Sequence, residues 1–373
     1  MQEKKYIGML GGGQLGLMFV QSAQKMGEKV LVLDPDKDCP AGKIADKFIN
    51  ADYLDSNALE KIVENCEICT TEFENIPYKT LEKLEEKINV YPNSKALKIS
   101  QNRILEKSFL KKLKIPTTNY FEINSPENLK HLEEIKDWPY ILKTSTFGYD
   151  GKGQAIINNY DELLKYYKIL GGENFVLEKK VNLKMEVSQV ACCYEKDIIL
   201  LPISENTHIN NILHKSKVPA SIVDNESKKI EDITICIAKN LNYKGILCVE
   251  FFISQTDDIL VNEIAPRTHN SGHYSIEGCH ESQFDHQVKI CKDMQPVKSS
   301  LKYSSVMVNL LGELWEGKEI NFDDLKKDEI FLHLYNKKIP KQGRKMGHFT
   351  VINNSVDIAN KIADEVYAKL KNE

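Results

Sequence analysis

Apolar and polar positions alternate along this chain in blocks whose period changes from one third of the sequence to the next. The first block opens with the apolar run Tyr6–Leu10, passes through Gly11-Gly12-Gly13-Gln14-Leu15-Gly16, and keeps a helical period to about Met26 before a second apolar run at 29–34. Residues 56–65 and 78–87 repeat the helical period, with Pro77 just before the second, and 68–73 and 90–92 are strand-like. Strands alternating with helices in this way predict an α/β unit built on a parallel sheet. Ser94 then reads as the N-cap of one long basic helix over 95–114, stopped by Pro116, which places a boundary near residue 95.

Strands dominate the middle of the chain. Residues 139–143 and 175–181 are strand-like, 185–194 and 197–203 suggest an antiparallel pair across a tight connection, and 225–240 reads as a helix. Strands at 246–253 and 258–264 are separated by a polar turn, and a hairpin there brings Glu250 and Glu263 close together on adjoining strands. The final third is a small mixed region with strands at 305–310, 330–335 and 349–352 and a closing helix over 355–370.

Composition narrows the function classes. The 373 residues suffice for two or three domains with real cores. At 42% hydrophobic, 28% charged and a net charge of −4, the chain has no basic field pointing to nucleic acid. Lysines alternate with acids in LEKLEEK and ILEKSFLKKLK, a pattern that predicts solvated helix faces. No apolar run approaches the roughly 18 residues of a membrane helix. The first residues run straight into a strand with no signal-peptide core, so a cytoplasmic location without membrane partners is expected. Nine cysteines, most of them in apolar runs, fit reduced core thiols, and Cys66-x-x-Cys69 lacks the second pair of a zinc site.

Candidate chemistry concentrates in NEIAPRTHNSGH at 262–273, where an acid, an arginine, two histidines and two amides follow an apolar strand. Glu263 suits a cation and Arg267 an anion, the equipment of a phosphoryl-transfer site. Two unpaired acids placed as Glu250 and Glu263 would be repel each other unless a cation lay between them. The glycine loop at 11–16, with Asp34 ending the next strand, has the spacing of a dinucleotide fingerprint, although a sugar phosphate is an equally good anion for it. Glu72 and Glu74 lie at the C-terminal end of their strand, where open parallel sheets place ligand-binding groups. Lys143 ends a strand just before TSTFGYDGKGQ, a glycine-rich loop whose amides can wrap phosphates, and GRKMGH at 343–348 places an Arg-Lys pair between glycines.

The order of these segments, with QNR at 101–103, E-x-x-V at 178–181 and S-Q-F-x-H at 282–286, resembles the ATP-grasp enzymes across essentially the whole chain. Within them it is similar to the 5-(carboxyamino)imidazole ribonucleotide synthases, and NE-x-APR-x-HNSGH followed by GRK-x-GH is the specific part. The resemblance implies an α/β ATP-grasp fold in three parts: a Rossmann-like domain at 1–95, an ATP-grasp domain at 96–298 with a flexible lid at about 117–182, and a small mixed α/β domain at 299–373. It implies ATP and Mg2+, bicarbonate as carbon source, aminoimidazole ribonucleotide as acceptor, and a homodimer.

Residue by residue, the resemblance gives ATP the contacts Arg103, Lys143, Gly148, Tyr149, Asp150, Gly151, Lys152, Gly153, Gln154, Glu178, Val181, Glu186, His208, Asn262 and Glu263. It gives Mg2+ the ligands Glu250 and Glu263. The ribonucleotide is matched by Gln14, Leu15, Glu72, Tyr149, Arg267, Asn270, Lys337, Arg344 and Lys345, and catalysis by Arg267, Lys143, Asp150, Lys152 and His269. This displaces the dinucleotide reading. His214 departs from the family pattern, standing where L-R-x-S-x-x-P has arginine, and His273 acquires no role. The rival readings are another ATP-grasp ligase, an NAD-dependent oxidoreductase resting on GGGQLG alone, and a nucleotide-binding regulator without turnover.

Overall fold

A computed structural model describes residues 5–146, 148, 153–171, 174–298, 300–317 and 319–372. Its first sheet is parallel, formed by β1 (Tyr6–Leu10), β2 (Val30–Asp34), β3 (Lys47–Asn50), β4 (Cys66–Thr71) and β5 (Asn89–Tyr91) in the order β3-β2-β1-β4-β5. β1 and β2 are continuous apolar runs because successive side chains enter two different cores. Ile7, Met9, Val30 and Val32 pack with the Gln14–Lys25 helix and with Phe284 and Val288, while Leu10, Leu31 and Leu33 pack with Leu59, Ile62, Leu81 and Leu84 of two other helices.

A second, antiparallel sheet is built from β6 (Tyr120–Ile123), β7 (Tyr140–Thr144), β8 (Gln154–Ile157) and β9 (Phe175–Lys179), ordered β6-β9-β7-β8. The third sheet is much larger. It contains β10 (Leu183–Cys193), β11 (Ile198–Leu200), β12 (Ser204–Ile209), β13 (Ile212–Val218), β14 (Gly245–Ser254), β15 (Ile259–Ala265), β16 (Ser304–Leu311), β17 (Ile330–Leu334) and β18 (Lys345–Asn353). Their order is β15-β14-β10-β12-β13-β16-β18-β17, with β11 beside β10. The C-terminal strands are therefore no separate sheet: β16 pairs antiparallel with β13, from Lys215 opposite Val308 to Val218 opposite Ser305. No helix among the described residues is long and apolar enough to cross a membrane, and all nine cysteines are free thiols.

Three expectations change. The single helix over 95–114 is two, Ser94–Ser100 and Arg103–Lys112. Asn93 rather than Ser94 caps the first, accepting from the Ala96 N–H at 2.9 Å, and Asn102 caps the second through the Ile104 and Leu105 amides. The break has a cause: Gln101 turns its side chain across to the carbonyls of Glu74 (2.7 Å) and Ile76 (2.5 Å). The face read as solvated in ILEKSFLKKLK is partly core, because Glu106 and Lys107 are 3% and 1% exposed. Finally, the segment after the strand read at 197–203 is a further strand: His208 lies on β12, whose hairpin with β13 turns on Asn210 and Asn211 at φ of 51° and 64°. Asparagine tolerates that left-handed backbone, so an Asn-Asn pair between alternating residues is a turn signal.

Candidate active site

A cleft of about 790 Å³ is lined by residues of all three sheets and their flanking loops, among them Gln14, Leu15, Lys143, Glu178, Val181, Glu186, Glu250 and Glu263. The acceptor end is built by the first sheet. At the start of the Gln14–Lys25 helix, Glu72 accepts hydrogen bonds from the amides of Gly13 (2.5 Å) and Leu15 (3.0 Å). Asp34 accepts from the Gly12 amide at 2.7 Å and from the Tyr53 hydroxyl at 2.9 Å. The protein's own carboxylates thus occupy the loop amides and helix N-terminus on which a dinucleotide would place its pyrophosphate. Burial raises the pKa of Glu72, and the loop amides only partly offset it.

On the nucleotide side, β7 and β9 place Lys143 and Glu178 side by side. The Lys143 ammonium donates to Glu178 at 2.9 Å, and Lys107, buried under Tyr120, approaches the same carboxylate at 3.3 Å. Burial alone would raise Glu178, but the two lysines win and hold it at about 2. The ionised carboxylate is therefore favoured by folding: its contribution is complete above about pH 4.5 and is lost as pH falls toward 2. Replacing Glu178 by Gln should lower the melting temperature by an amount constant above about pH 5 and shrinking below about pH 4.5. Thermal unfolding of both proteins from pH 7 to 3 measures this, and a pH-independent difference would remove the charge argument.

The hairpin β14–β15 sets Glu250 opposite Glu263 in register. His269 contacts Glu250 at 3.1 Å, and Asn262 reaches the other Glu250 oxygen at 3.5 Å. Desolvation opposes charge on Glu250, but the His269 hydrogen bond and charge outweigh it and hold the carboxyl at about 2. Among the described residues the cation nearest Glu263 is the Arg103 guanidinium, in a looser ion pair at 3.8 Å, and burial followed by the Glu250 charge raises the Glu263 pKa. Behind it, Glu106 accepts from the Ile264 amide at 2.6 Å, and burial with the Glu263 charge pushes it up to about 8.

At the junction, Arg267 is ion-paired through Nε with Glu74 and donates from Nη1 to the Thr268 carbonyl at 3.0 Å. His269 bonds Ser271 through Nδ1 at 2.8 Å, and Asn270 exchanges hydrogen bonds with Asn309 of β16. Desolvation disfavours the imidazolium, yet Cys248 and Glu250 beside His269 push its pKa up. Farther along the cleft, His208 and Glu186 form a 2.6 Å pair.

The structure brings together Gln14, Leu15, Glu72, Arg103, Lys143, Gly148, Gln154, Glu178, Val181, Glu186, His208, Glu250, Asn262, Glu263, Arg267, His269, Asn270 and Lys345, all lining one cleft. Gly153, whose carbonyl accepts from the Thr144 amide, is not in the lining. Nor are Lys337 and Arg344. Lys337 reaches the rim by donating to Gln14 at 2.7 Å, whereas Arg344 donates to the Ile339 carbonyl at 2.8 Å. Tyr149, Asp150, Gly151 and Lys152 lie outside the described residues. His214 faces away from the cleft and packs edge-on against Tyr367, 4.6 Å between ring centroids.

Glu74, Glu106, Lys107 and Asn309 were not among the expected site residues. The first two pair with Arg267 and with the β15 backbone, and Lys107 completes the Glu178 cluster. Only Glu74 carried a signal, as the second acid at the end of β4.

Three family models match successive parts of the chain: a ribonucleotide synthetase preATP-grasp domain over 4–101, an ATP-grasp domain over 108–284, and a phosphoribosylaminoimidazole carboxylase C-terminal domain over 305–362. The N5-carboxyaminoimidazole ribonucleotide synthase of Staphylococcus aureus (strain COL) is 41% identical over 98% of this chain and 96% of its own. A crystal structure of the Staphylococcus aureus N5-carboxyaminoimidazole synthetase complexed with ADP superposes with a TM-score of 0.90 at 39% identity, covering 99% and 98% of the two chains. The Aspergillus clavatus synthase in complex with ADP and 5-aminoimidazole ribonucleotide gives a TM-score of 0.90 at 28% identity over 100% of both. With sequence and fold alike matched from end to end, this chain belongs to the N5-carboxyaminoimidazole ribonucleotide synthase family of ATP-grasp ligases.

Proposed function

We propose that the chain carboxylates 5-aminoimidazole ribonucleotide with bicarbonate at the expense of ATP, giving N5-carboxyaminoimidazole ribonucleotide, ADP and phosphate in purine biosynthesis. The observation that carries this reading is the single cleft: Gln14, Leu15 and Lys345, the Lys143–Glu178 cluster, and Arg267, His269 and Asn270 all line it together.

Bicarbonate is a poor electrophile, and attack of its oxygen on the γ-phosphorus yields carboxyphosphate, an acyl group with phosphate as leaving group. Lys143 and Arg267 supply positive charge where the transferring phosphoryl spreads its negative charge. The exocyclic amine of the ribonucleotide then takes the carboxyl. Gln14, Leu15, Glu72, Lys337, Arg344 and Lys345 bind this acceptor, and Arg267, His269 and Asn270 orient the carboxyl in transit. Lid residues 148–154, with Tyr149, Asp150 and Lys152, exclude water from an intermediate that water destroys.

Glu250 and Glu263 are a fitting donor set for Mg2+, because both are carboxylates and their mutual repulsion is what a hard divalent cation relieves. The ion would supply charge neutralisation of the triphosphate. A homodimer in the cytoplasm is the companion reading, supported by the family resemblance, and sedimentation velocity tests the oligomer.

Phosphate release from ATP, measured with bicarbonate and with or without the ribonucleotide, tests the function. Turnover should rise with the ribonucleotide and match carboxylated product; turnover indifferent to it, with no product, would overturn the assignment.

A further inference from the structure

Gln283 is fully buried and lies on no wall of the cleft, yet its side-chain amide makes three hydrogen bonds toward the catalytic segment. Its oxygen accepts from the His269 amide at 2.8 Å, and its nitrogen donates to the His269 carbonyl at 2.7 Å and to His273 Nδ1 at 3.2 Å. The first two bonds close a ring on the backbone of one residue, as a neighbouring strand would. Because a backbone N–H must donate and a backbone carbonyl must accept, this ring fixes the amide in a single orientation, and the remaining amide proton points to His273 Nδ1.

Two neighbours are shaped around it. A Cβ on Gly272 would stand 2.7 to 2.9 Å from the Gln283 amide, so glycine lets the amide lie against the turn. His273, left without a role by the sequence, accepts the remaining amide proton, and its ring packs against Phe284 and His348.

Gln283 also begins a helix, Gln283–Cys291, that belongs to the acceptor end of the molecule. Phe284 and Val288 share a core with Phe19 and Val20 of the Gln14–Lys25 helix, Ser22 donates to Asp285 at 2.7 Å, and Gln287 donates to Thr70 of β4 at 2.9 Å. The residue thus joins the body that carries Gln14 and Leu15 to the backbone that carries Arg267, His269 and Asn270.

We infer that Gln283, hydrogen-bonded to His273, is a positioning residue that sets the carboxyl-transfer segment in register with the bound acceptor, so that the activated carboxyl reaches the amine rather than water. This rests on the proposed carboxylation and adds a residue to it. Phosphoryl transfer draws on Lys143, Glu178 and the acid pair as well as Arg267, and Gln283 bonds none of these side chains, so a shift of the segment falls harder on carboxyl transfer than on ATP use. Displacing the segment therefore separates ATP use from product formation.

The test compares the full-length protein with Gln283→Met, which keeps bulk and removes all three bonds, and His273→Phe, which keeps a ring and removes only the third. In Gln283→Met, product formation should fall by about tenfold to a hundredfold while KM for ATP stays within about twofold, and ADP formed per product should rise several-fold. His273→Phe should shift the same ratio less. Hydrogen exchange at the His269 amide, read without any turnover, should accelerate in both.

A folded Gln283→Met protein with the wild-type ADP-to-product ratio would overturn the inference. So would a loss of product matched by an equal loss of ADP affinity, which is general softening. If Gln283→Met does not fold, an unchanged ratio in His273→Phe overturns it alone. Wild-type protein that makes no carboxylated ribonucleotide would instead refute the proposed function, and the exchange result would stand apart from that failure.

Discussion

Glu263→Gln should abolish turnover and leave the fold intact. The substitution keeps size and hydrogen-bonding oxygen but removes one of the two charges that face each other across β14 and β15. A loss of about 4 kcal/mol of transition-state stabilisation, or about a thousandfold in rate, is the scale for a lost metal-holding carboxylate. Stability should move the other way. Burial and the Glu250 charge raise the Glu263 pKa, so its ionised form is disfavoured by folding, and a neutral amide relieves that repulsion. The variant should melt at or above the wild-type temperature at pH 7 while failing to release phosphate from ATP. Near-normal activity would remove the metal role; a large fall in melting temperature would remove the repulsion argument.

Arg267→Met should cost both activity and stability, and the second loss should be reversible. Removing the guanidinium leaves Glu74 with three quarters of its side chain buried and no counter-charge. Breaking one partner of a buried pair costs about 3 kcal/mol or somewhat more. Replacing both, as Arg267→Met with Glu74→Leu, removes the stranded charge and should recover most of that loss in urea unfolding. Carboxylation should stay absent in both proteins, since Arg267 is where positive charge meets the carboxyl in transit. A double variant no more stable than the single one would show that the pair is not an energetic unit; restored activity would show that Arg267 is dispensable.

The parts of this site that were legible in the sequence are those in which chemistry and local pattern coincide. Glu250 and Glu263 sit on two apolar strands joined by a polar turn, so pairing them needed only the hairpin. Lys143 ends its strand next to a glycine-rich loop, and Arg267 follows a proline on a strand end. Glu106 and Lys107 were misread because an acid-lysine pair on a helix looks the same whether water or Glu178 and the β15 backbone lies opposite. Glu74 and Gln283 find their partners 193 and 14 residues away, a separation no local period records. The continuous third sheet was hidden for the same reason, since pairing of β13 with β16 joins segments separated by several helices and the β14–β15 hairpin.

That continuity gives the molecule a built-in gauge. Lys345 on β18 and the acid pair on β14 and β15 belong to one unbroken hydrogen-bonded sheet, whereas Lys143 and Gln154 belong to the separate four-stranded one. On the proposed reading, the acceptor's phosphate and the metal are anchored on strands of one hydrogen-bonded sheet, and only the nucleotide's cover is free of it. Such a gauge selects by length. A nucleoside lacking its phosphate forfeits the far anchor, and a diphosphate seated on that anchor has its amine out of place, however well the imidazole itself fits.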